Sequence, residues 1–581
     1  NNLGKDTSGN GNDWTLNGGI SSSLNQTIDT PVNNFATLNG ADKGTVTLSG
    51  GNLVSVPGTD HHGVRGSIAI PTSGKWYWEA KVASLGYGSW IGIADQTTNL
   101  TLGSGSGSTK TFQWGSWFNT YNSGVVQYGT NQGYSLGSNW SGASQPGNND
   151  IIMVAVDMDN NSMWVGKNGV WFNSSGSANP ATNSDPRWTG LATTSTLWFP
   201  FAGGYASSPA VSFNFGQKAF TYTPPTGFRS LSTSNLPTPT IVKPSEHFDT
   251  VTYTGNSSTK SISSLNFKPD LVWIKGRSYG SSNHILNDIV RGPNKTLFSN
   301  QSLAEYTDRG IESFDSNGFS LSGTEGGDAN ADTQTYVAWN WKGSNATTTN
   351  TAGSITSVVS ANPTAGFSVI NYTGTGASGA VGHGLSSTPN FIIFKQRSGG
   401  AGSGVQDWGT YHSSIGSTGA VRLNLNNANV TNSTYFNNAT PTATVINLGS
   451  FQNYNELNGN FIAYAFSEVP GYSKFGGYTG NNSSDGVFVY TGFKPRWIMI
   501  KRTDSANEWA IIDTARNTYN PLITQLYANQ STQDTTWSSV DALSNGFKLR
   551  SNNGESNGAG TYIYAAFAET TMIPTFPSLP S

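Results

Sequence analysis

Asp6, Ser8, Asn10 and Gly11 stand at the spacing of a calcium loop, Asp-x-Ser-x-Asn-Gly, where alternate oxygen side chains face one point and glycine permits the bend. The twelfth position is Asn17 and not a bidentate Glu, so a plain Asx/Gly turn competes with the metal reading. If calcium binds, Asp6, Ser8 and Asn10 are the expected ligands; otherwise no cofactor is expected. Glu325, Asp328, Asn330 and Asp332 repeat the alternate-oxygen pattern, against a solvated loop before the strand at Tyr336. A glycosidase needs two carboxylates about 5–9 Å apart in a cleft. Asp157 and Asp159 read as same-side residues of one strand, but nothing around them separates an acid from a base. The six histidines, His61, His62, His247, His284, His383 and His412, accompany neither a Gly-x-Ser-x-Gly elbow nor a His-Glu-x-x-His pair. No catalytic residue is assigned, and the expectation is a protein that is not an enzyme.

Aromatic side chains carry the stronger binding signal. Trp114, Trp117, Phe118, Tyr121 and Tyr128 crowd a Gly/Ser/Asn-rich segment. Such rings can stack on sugar faces while neighbouring amides bond hydroxyls; the competing reading is that they fill a core. Trp114, Trp117, Tyr121 and Tyr128 are the expected ligand-binding residues. One weak sugar site near 1 mM is worth only about 4 kcal/mol, so function would rest on joining several sites.

The elements that must position these residues are β-strands. Charged residues make up 11% of the 581, against about 25% in an average protein, while 70 Gly and 69 aromatic residues supply turns and apolar surface. A formal net charge of -3, with no run of Lys or Arg, argues against nucleic-acid binding. No apolar stretch approaches 18 residues, which argues against membrane insertion by a helix. Zero Cys excludes disulfides and thiolate chemistry and suits assembly in a reducing bacterial cytoplasm. The chain opens on Asn1 without a signal segment and is expected to be processed or trimmed.

Pro237 and Pro239, among Ser, Thr and Asn, mark a linker over 231–243. Beyond it the sequence repeats. Tyr253-Thr254-Gly255, Tyr372-Thr373-Gly374 and Tyr478-Thr479-Gly480 lie 119 and 106 residues apart. Each leads to a proline (Pro269, Pro389, Pro495), an apolar run, and a lysine six residues after the proline: Lys275, Lys395, Lys501. The runs Leu271-Val272-Trp273-Ile274, Phe391-Ile392-Ile393-Phe394 and Trp497-Ile498-Met499-Ile500 read as buried central strands. Aromatic strands near Trp339, Tyr464 and Tyr564 close each copy. Ser316-Asn317-Gly318 and Ser544-Asn545-Gly546 predict type I′ turns, and Asp288 with Arg291 matches Asp513 with Arg516. The expectation is an all-β protein with domains at 1–230, 244–343, 354–470 and 471–575, the last three homologous β-sandwiches in tandem.

Within the first region, Lys75-Trp76-Tyr77-Trp78-Glu79 predicts a half-buried strand, followed by Val156-Asp157-Met158-Asp159-Asn160 running into Lys167-Asn168-Gly169-Val170-Trp171, then Phe199-Pro200 and Asn214-Phe215-Gly216-Gln217. In that order the segments resemble a SPRY domain, a concanavalin-like lectin sandwich used for recognition. Together with the opening Asp-x-Ser-Gly-Asn-Gly-Asn and the repeats, the whole resembles bacteriophage tail-fibre or appendage proteins, notably from aquatic hosts. The resemblance implies a virion protein, commonly homotrimeric, assembled in the host cytoplasm beside other tail proteins, that binds a host-surface glycan or protein. A depolymerising tailspike, a structural virion decoration and a bacterial surface adhesin are the alternatives.

Overall fold

The computed structural model describes residues 11, 27–30, 32–58, 62–83, 89–101, 111–115, 125–128, 148–172, 177–191, 197–204, 210–323, 326–401, 404–536 and 539–572. The protein is all-β, and two compact units divide the chain between Pro237 and Thr238, inside the linker.

The first unit is a sandwich of two sheets. One has the strand order Leu38–Lys43, His62–Gly66, Trp198–Gly204, Ser89–Asp95, Thr111–Gly115, Val125–Tyr128. The other runs Val170–Trp171, Ser162–Lys167, Ile151–Asp157, Lys75–Val82, Val211–Asn214, Val54–Pro57, Val46–Ser49. Alternation along Lys75–Val82 predicts an exposed outer face, yet Tyr77 is 0% and Glu79 is 2% exposed. The reason is the returning segment around Phe220. Tyr77 packs edge-on against Phe220 at 4.9 Å, and Glu79 accepts the Tyr77 hydroxyl at 3.0 Å and the backbone N–H groups of Thr221 and Tyr222, each at 2.8 Å. A strand covered on both faces hides its polar residues, provided each is bonded. Asp159 also departs from expectation: it lies in the turn after the strand and accepts the Gly74 N–H at 2.7 Å. Asp157 ends the strand, salt-bridged to Lys75 at 3.0 Å.

In the second unit each copy contributes the same four-strand pattern. The leading strands are Phe248–Thr254, Phe367–Thr373 and Ser473–Gly480. Each pairs with its closing strand, Thr335–Trp341, Gly459–Phe466 or Gly560–Thr571. The closing strand pairs in turn with a central strand, Leu271–Gly276, Phe391–Gly399 or Phe493–Arg502. The fourth strands are Ile285–Asp288, Gly409–His412 and Trp509–Asp513. Register fixes the equivalences: Leu271, Phe391 and Trp497 stand opposite Trp341, Phe466 and Phe567 on one side and Asp288, His412 and Asp513 on the other.

The apolar runs are buried on both faces because they serve two cores. Val272 and Ile274 point into a core private to the first copy, with Ile262, Phe319 and Leu321. Ile392 with Phe394, and Ile498 with Ile500, do the same in the second and third. The alternate residues, Leu271 and Trp273, Phe391 and Ile393, Trp497 and Met499, join a single cluster drawn from all three copies. At its centre a small apolar void of about 10 Å³ is lined by Trp273, Trp341, Phe391, Phe466, Trp497 and Phe567 among others. The copies read from the sequence as tandem modules are therefore three sectors of one compact unit.

The Asn-Gly turns also differ from expectation. Asp315 pairs with Gly318 and Leu543 with Gly546, so the two-residue loops are Ser316-Asn317 and Ser544-Asn545, and none of these four has a positive φ. Glycine is required one position later for closeness: a Cβ on Gly318 would lie 1.7 Å from the Ile262 carbonyl oxygen, and one on Gly546 2.1 Å from that of Val489.

Candidate functional site

Of the residues expected to bind a ligand, Trp114 lies on Thr111–Gly115, opposite Ile91 and Val126, and Tyr128 ends Val125–Tyr128, opposite Phe112; only their backbones are described. Trp117, Tyr121 and the calcium candidates Asp6, Ser8 and Asn10 lie outside the described residues. Among the described residues no three His, Cys, Asp or Glu side chains cluster to hold a metal. Asp328 instead accepts the Asn283 N–H at 2.7 Å, and Asn330 is a fully buried structural residue.

What the structure does bring together is polar chemistry at three seams, each joining one copy to the next in a closed cycle. Every seam carries the same backbone bond: Glu305 N–H to Arg397 O at 2.9 Å, Asn429 N–H to Thr503 O at 2.8 Å and Asp534 N–H to Arg277 O at 2.9 Å. Three residues before each donor, a carbonyl accepts a buried lysine of the next copy. Lys395 reaches Ser302 O at 3.0 Å, Lys501 reaches Asn426 O and Lys275 reaches Ser531 O, both at 3.2 Å. Each lysine donates again within its own copy, to Gln406, Arg502 or Gly276. Four residues before Asp288, His412 and Asp513, a ring side chain reaches the preceding copy: Trp408 donates its ring N–H to Phe298 O at 2.8 Å and Trp509 to Arg422 O at 2.9 Å. His284 holds the third such position, facing the Tyr527 backbone while its Nδ1 accepts the Trp273 indole at 2.9 Å.

These groups are buried where charge is costly. Burial, offset in part by Asp534 and Asp328, pulls Lys275 down to about 8. It pulls Lys395 down to about 7 against Asp407, and Lys501 down to about 8 against Glu508. Burial lowers His412 to about 4. The anionic positions differ among seams. Asp288 binds Arg291 at 2.5 Å and accepts the Tyr464 hydroxyl of the second copy at 2.9 Å. Asp513 binds Arg516 at 2.6 Å and accepts the Trp339 indole of the first copy at 3.1 Å. His412, at the equivalent place, has its Nε2 3.2 Å from Tyr564 O. Glu305 joins Arg291 and Arg397, and although burial raises its pKa the two guanidinium groups hold it below the usual carboxylate range.

A second triplet fastens each copy internally. Asn330, Asn455 and Asn557 are fully buried just before the closing strands. Each accepts the N–H that follows Tyr-Thr-Gly, from Asn256 at 3.1 Å, Thr375 at 2.8 Å and Asn481 at 3.2 Å. Each donates to two carbonyls, for example Ala377 O at 2.6 Å and Gly449 O at 2.9 Å from Asn455. The tyrosines stack on Tyr336, Phe461 and Tyr562 at 5.3, 5.2 and 5.0 Å. The lysines and the Asp/Arg pairs were visible in the sequence as repeats, but their seam role was not. The asparagines and the set His284, Trp408 and Trp509 were missed: their distances from the shared prolines vary from copy to copy, and the last three differ in residue type, so the repeat spacing does not mark them.

Comparison with known proteins adds two findings. A solved structure to which the chain is similar, the SPRY domain of human HERC1, shares 16% identity over 31% of this chain and 99% of that one, with a TM-score of 0.22, too low to bear on the fold. No curated protein matches. Residues 243–571, more than half of the chain and the whole three-sector body, match the family described as "Domain of unknown function (DUF7483)", and the chain belongs to that family.

Proposed function

We propose that this protein is a non-enzymatic surface-binding protein of the phage tail-fibre or appendage type, which holds β-modules against a host-surface glycan or protein. One observation carries the reading: in the three-sector body, the side chains best suited to acid–base chemistry are spent on holding copies together. Asp288, Asp513, His412 and the three lysines are buried, and each is bonded to another copy or to its own backbone. Such a body is a rigid display scaffold. The SPRY-like order of segments in the first region favours recognition, and the repeats favour the phage resemblance; a virion location with other tail proteins follows from that resemblance alone.

The experiment is co-sedimentation of the purified chain with intact aquatic bacteria, with reducing-sugar release from their envelope polysaccharides measured in parallel. Cell-dependent depletion without sugar release is expected. Sugar release that one carboxylate substitution abolishes would turn the reading to a depolymerase, and absence of depletion with every host tested would remove it.

A further inference from the structure

The third copy carries an insertion that the other two lack. Arg291 and Leu297 in the first copy, like the equivalent Ile415 and Val421 in the second, are six residues apart, whereas Arg516 and Leu526 are ten apart. The extra residues fall around Tyr519, and four side-chain bonds, one backbone pairing and one buried side chain hold them in place. Asn520 donates to Ala542 O and accepts the Ala542 N–H, both at 2.9 Å. Asn517 accepts the N–H groups of Ile523 and Thr524 at 3.1 and 2.7 Å. Leu522 is buried in the private core and pairs its backbone with Val540. On this fixed loop Tyr519 is 85% exposed and Ile523 44%, with Pro521 exposed between them. Single exposed apolar residues need no explanation. Three within five residues, on an anchored loop that the fold does without in two copies out of three, contribute nothing to folding that those copies lack. They do supply what binding rewards, a rigid aromatic anchor whose ordering cost is met in advance.

The chemistry around the ring selects among ligands. From Asn517 to Gln533 no residue is charged. The nearest charge on the strand that clamps the loop, Asp541, is engaged by Arg550 at 2.6 Å. Thr518 and Asn520 are exposed beside Tyr519. A flat ring flanked by neutral hydroxyl and amide groups fits the apolar face and hydroxyls of an uncharged sugar, and offers nothing to a phosphate or a uronate.

We propose that the 517–524 loop is a carbohydrate-binding site in which Tyr519 stacks on a residue of a neutral polysaccharide. This rests on the surface-binding reading above and names one of its contact points. The test uses the full chain on an array of neutral and acidic bacterial O-polysaccharides and capsules, with dextran, laminarin and galactomannan as plain neutral polymers. Wild type is expected to bind neutral members. Tyr519→Ala should weaken that binding by about tenfold or more, Tyr519→Phe and Tyr519→Trp should stay within about threefold, and Tyr279→Ala, at a tyrosine also well exposed, should leave it unchanged. Because the ring is exposed, circular dichroism and melting should match wild type in every Tyr519 variant. Neutral-glycan binding that survives Tyr519→Ala overturns this site and leaves the general reading standing. Loss of binding only to protease-sensitive material on cells would make the loop a protein contact and overturn the sugar assignment, and a wild type that binds neither array nor cells overturns both.

Discussion

Trp339 and Asp513 meet at 3.1 Å across the seam where the third copy returns to the first, an indole N–H on a carboxylate that also accepts from Ala515 and Arg516 of its own copy. The ring of sectors is closed by this contact and its neighbours, without a covalent link at that point. Trp339→Phe keeps most of the packing and removes the donor, so it should cost about 1.5–3 kcal/mol, the range for a hydrogen bond to a charged group. Asp513→Ala removes the nearer of the two carboxylates that hold the buried Arg516 guanidinium, leaving Asp534 at 2.9 Å, and should cost about 3 kcal/mol or more. Urea unfolding of the full chain, followed by tryptophan fluorescence, gives both values; equal costs for the two variants would mean that the ion pair contributes nothing beyond the indole bond.

The seam lysines should give the second unit an alkaline stability optimum. A lysine in the unfolded chain titrates near 10.4, while Lys275, Lys395 and Lys501 are held to about 8, 7 and 8 by burial. Between those values the unfolded state binds more protons, so stability rises with pH from about 7 to 10. His412, lowered to about 4, works in the same direction below about 6.5. Above about pH 10 buried tyrosines such as Tyr464 and Tyr478, whose pKa burial raises, turn the curve down. Melting temperatures from about pH 6 to 10 should therefore climb through neutrality, and Lys395→Met should flatten the climb. A curve that peaks below pH 7 would refute this.

Much of the architecture is readable from residue order because the copies preserve spacing where backbone geometry is strict. The Tyr-Thr-Gly signature is an example: its glycine lies under the chain that enters the closing strand, where a Cβ would come within 2.1 Å of Ala331 O in the first copy and 2.2 Å of Glu456 O and Gly558 O in the second and third. The ring was not readable. Apolar residues on both faces of Leu271–Gly276 are compatible with a sandwich interior or with two separate cores, and strand periodicity does not distinguish them. The seam bonds end mostly on backbone carbonyls, which leave no trace in side-chain identity, and the outer face of Lys75–Val82 was misread because its cover is supplied by a segment more than a hundred residues later.

Asn455 should be among the most sensitive single positions of the second copy. Its amide bonds Thr375, Ala377 and Gly449, tying three chain segments together at a fully buried site. Asn455→Asp keeps the shape but turns a donor of two bonds into an acceptor facing two carbonyl oxygens, and should cost more than Asn455→Ala, itself about 2–4 kcal/mol from the polar groups left unpaired. Stabilities of the two variants decide the order; an Asp variant as stable as wild type would mean that the site takes up a proton or admits water.

The first–second seam offers a test of how the charged groups divide the work. Glu305 bonds Arg397 at 2.8 and 2.9 Å and Arg291 at 3.2 Å, whereas the equivalent residue of the second–third seam, Asn429, faces Thr503 with no charge on either side. Both seams keep the backbone bond, so the charges are not needed to form it. Glu305→Gln leaves two guanidinium groups, one of them fully buried, short of an anion, and should cost about 2–4 kcal/mol. The paired change Glu305→Asn with Arg397→Thr copies the uncharged seam and should recover part of that loss. A double-mutant cycle on these positions reads the coupling directly, and a double variant less stable than the sum of its singles would show that the charged and uncharged seams are not interchangeable solutions to the same contact.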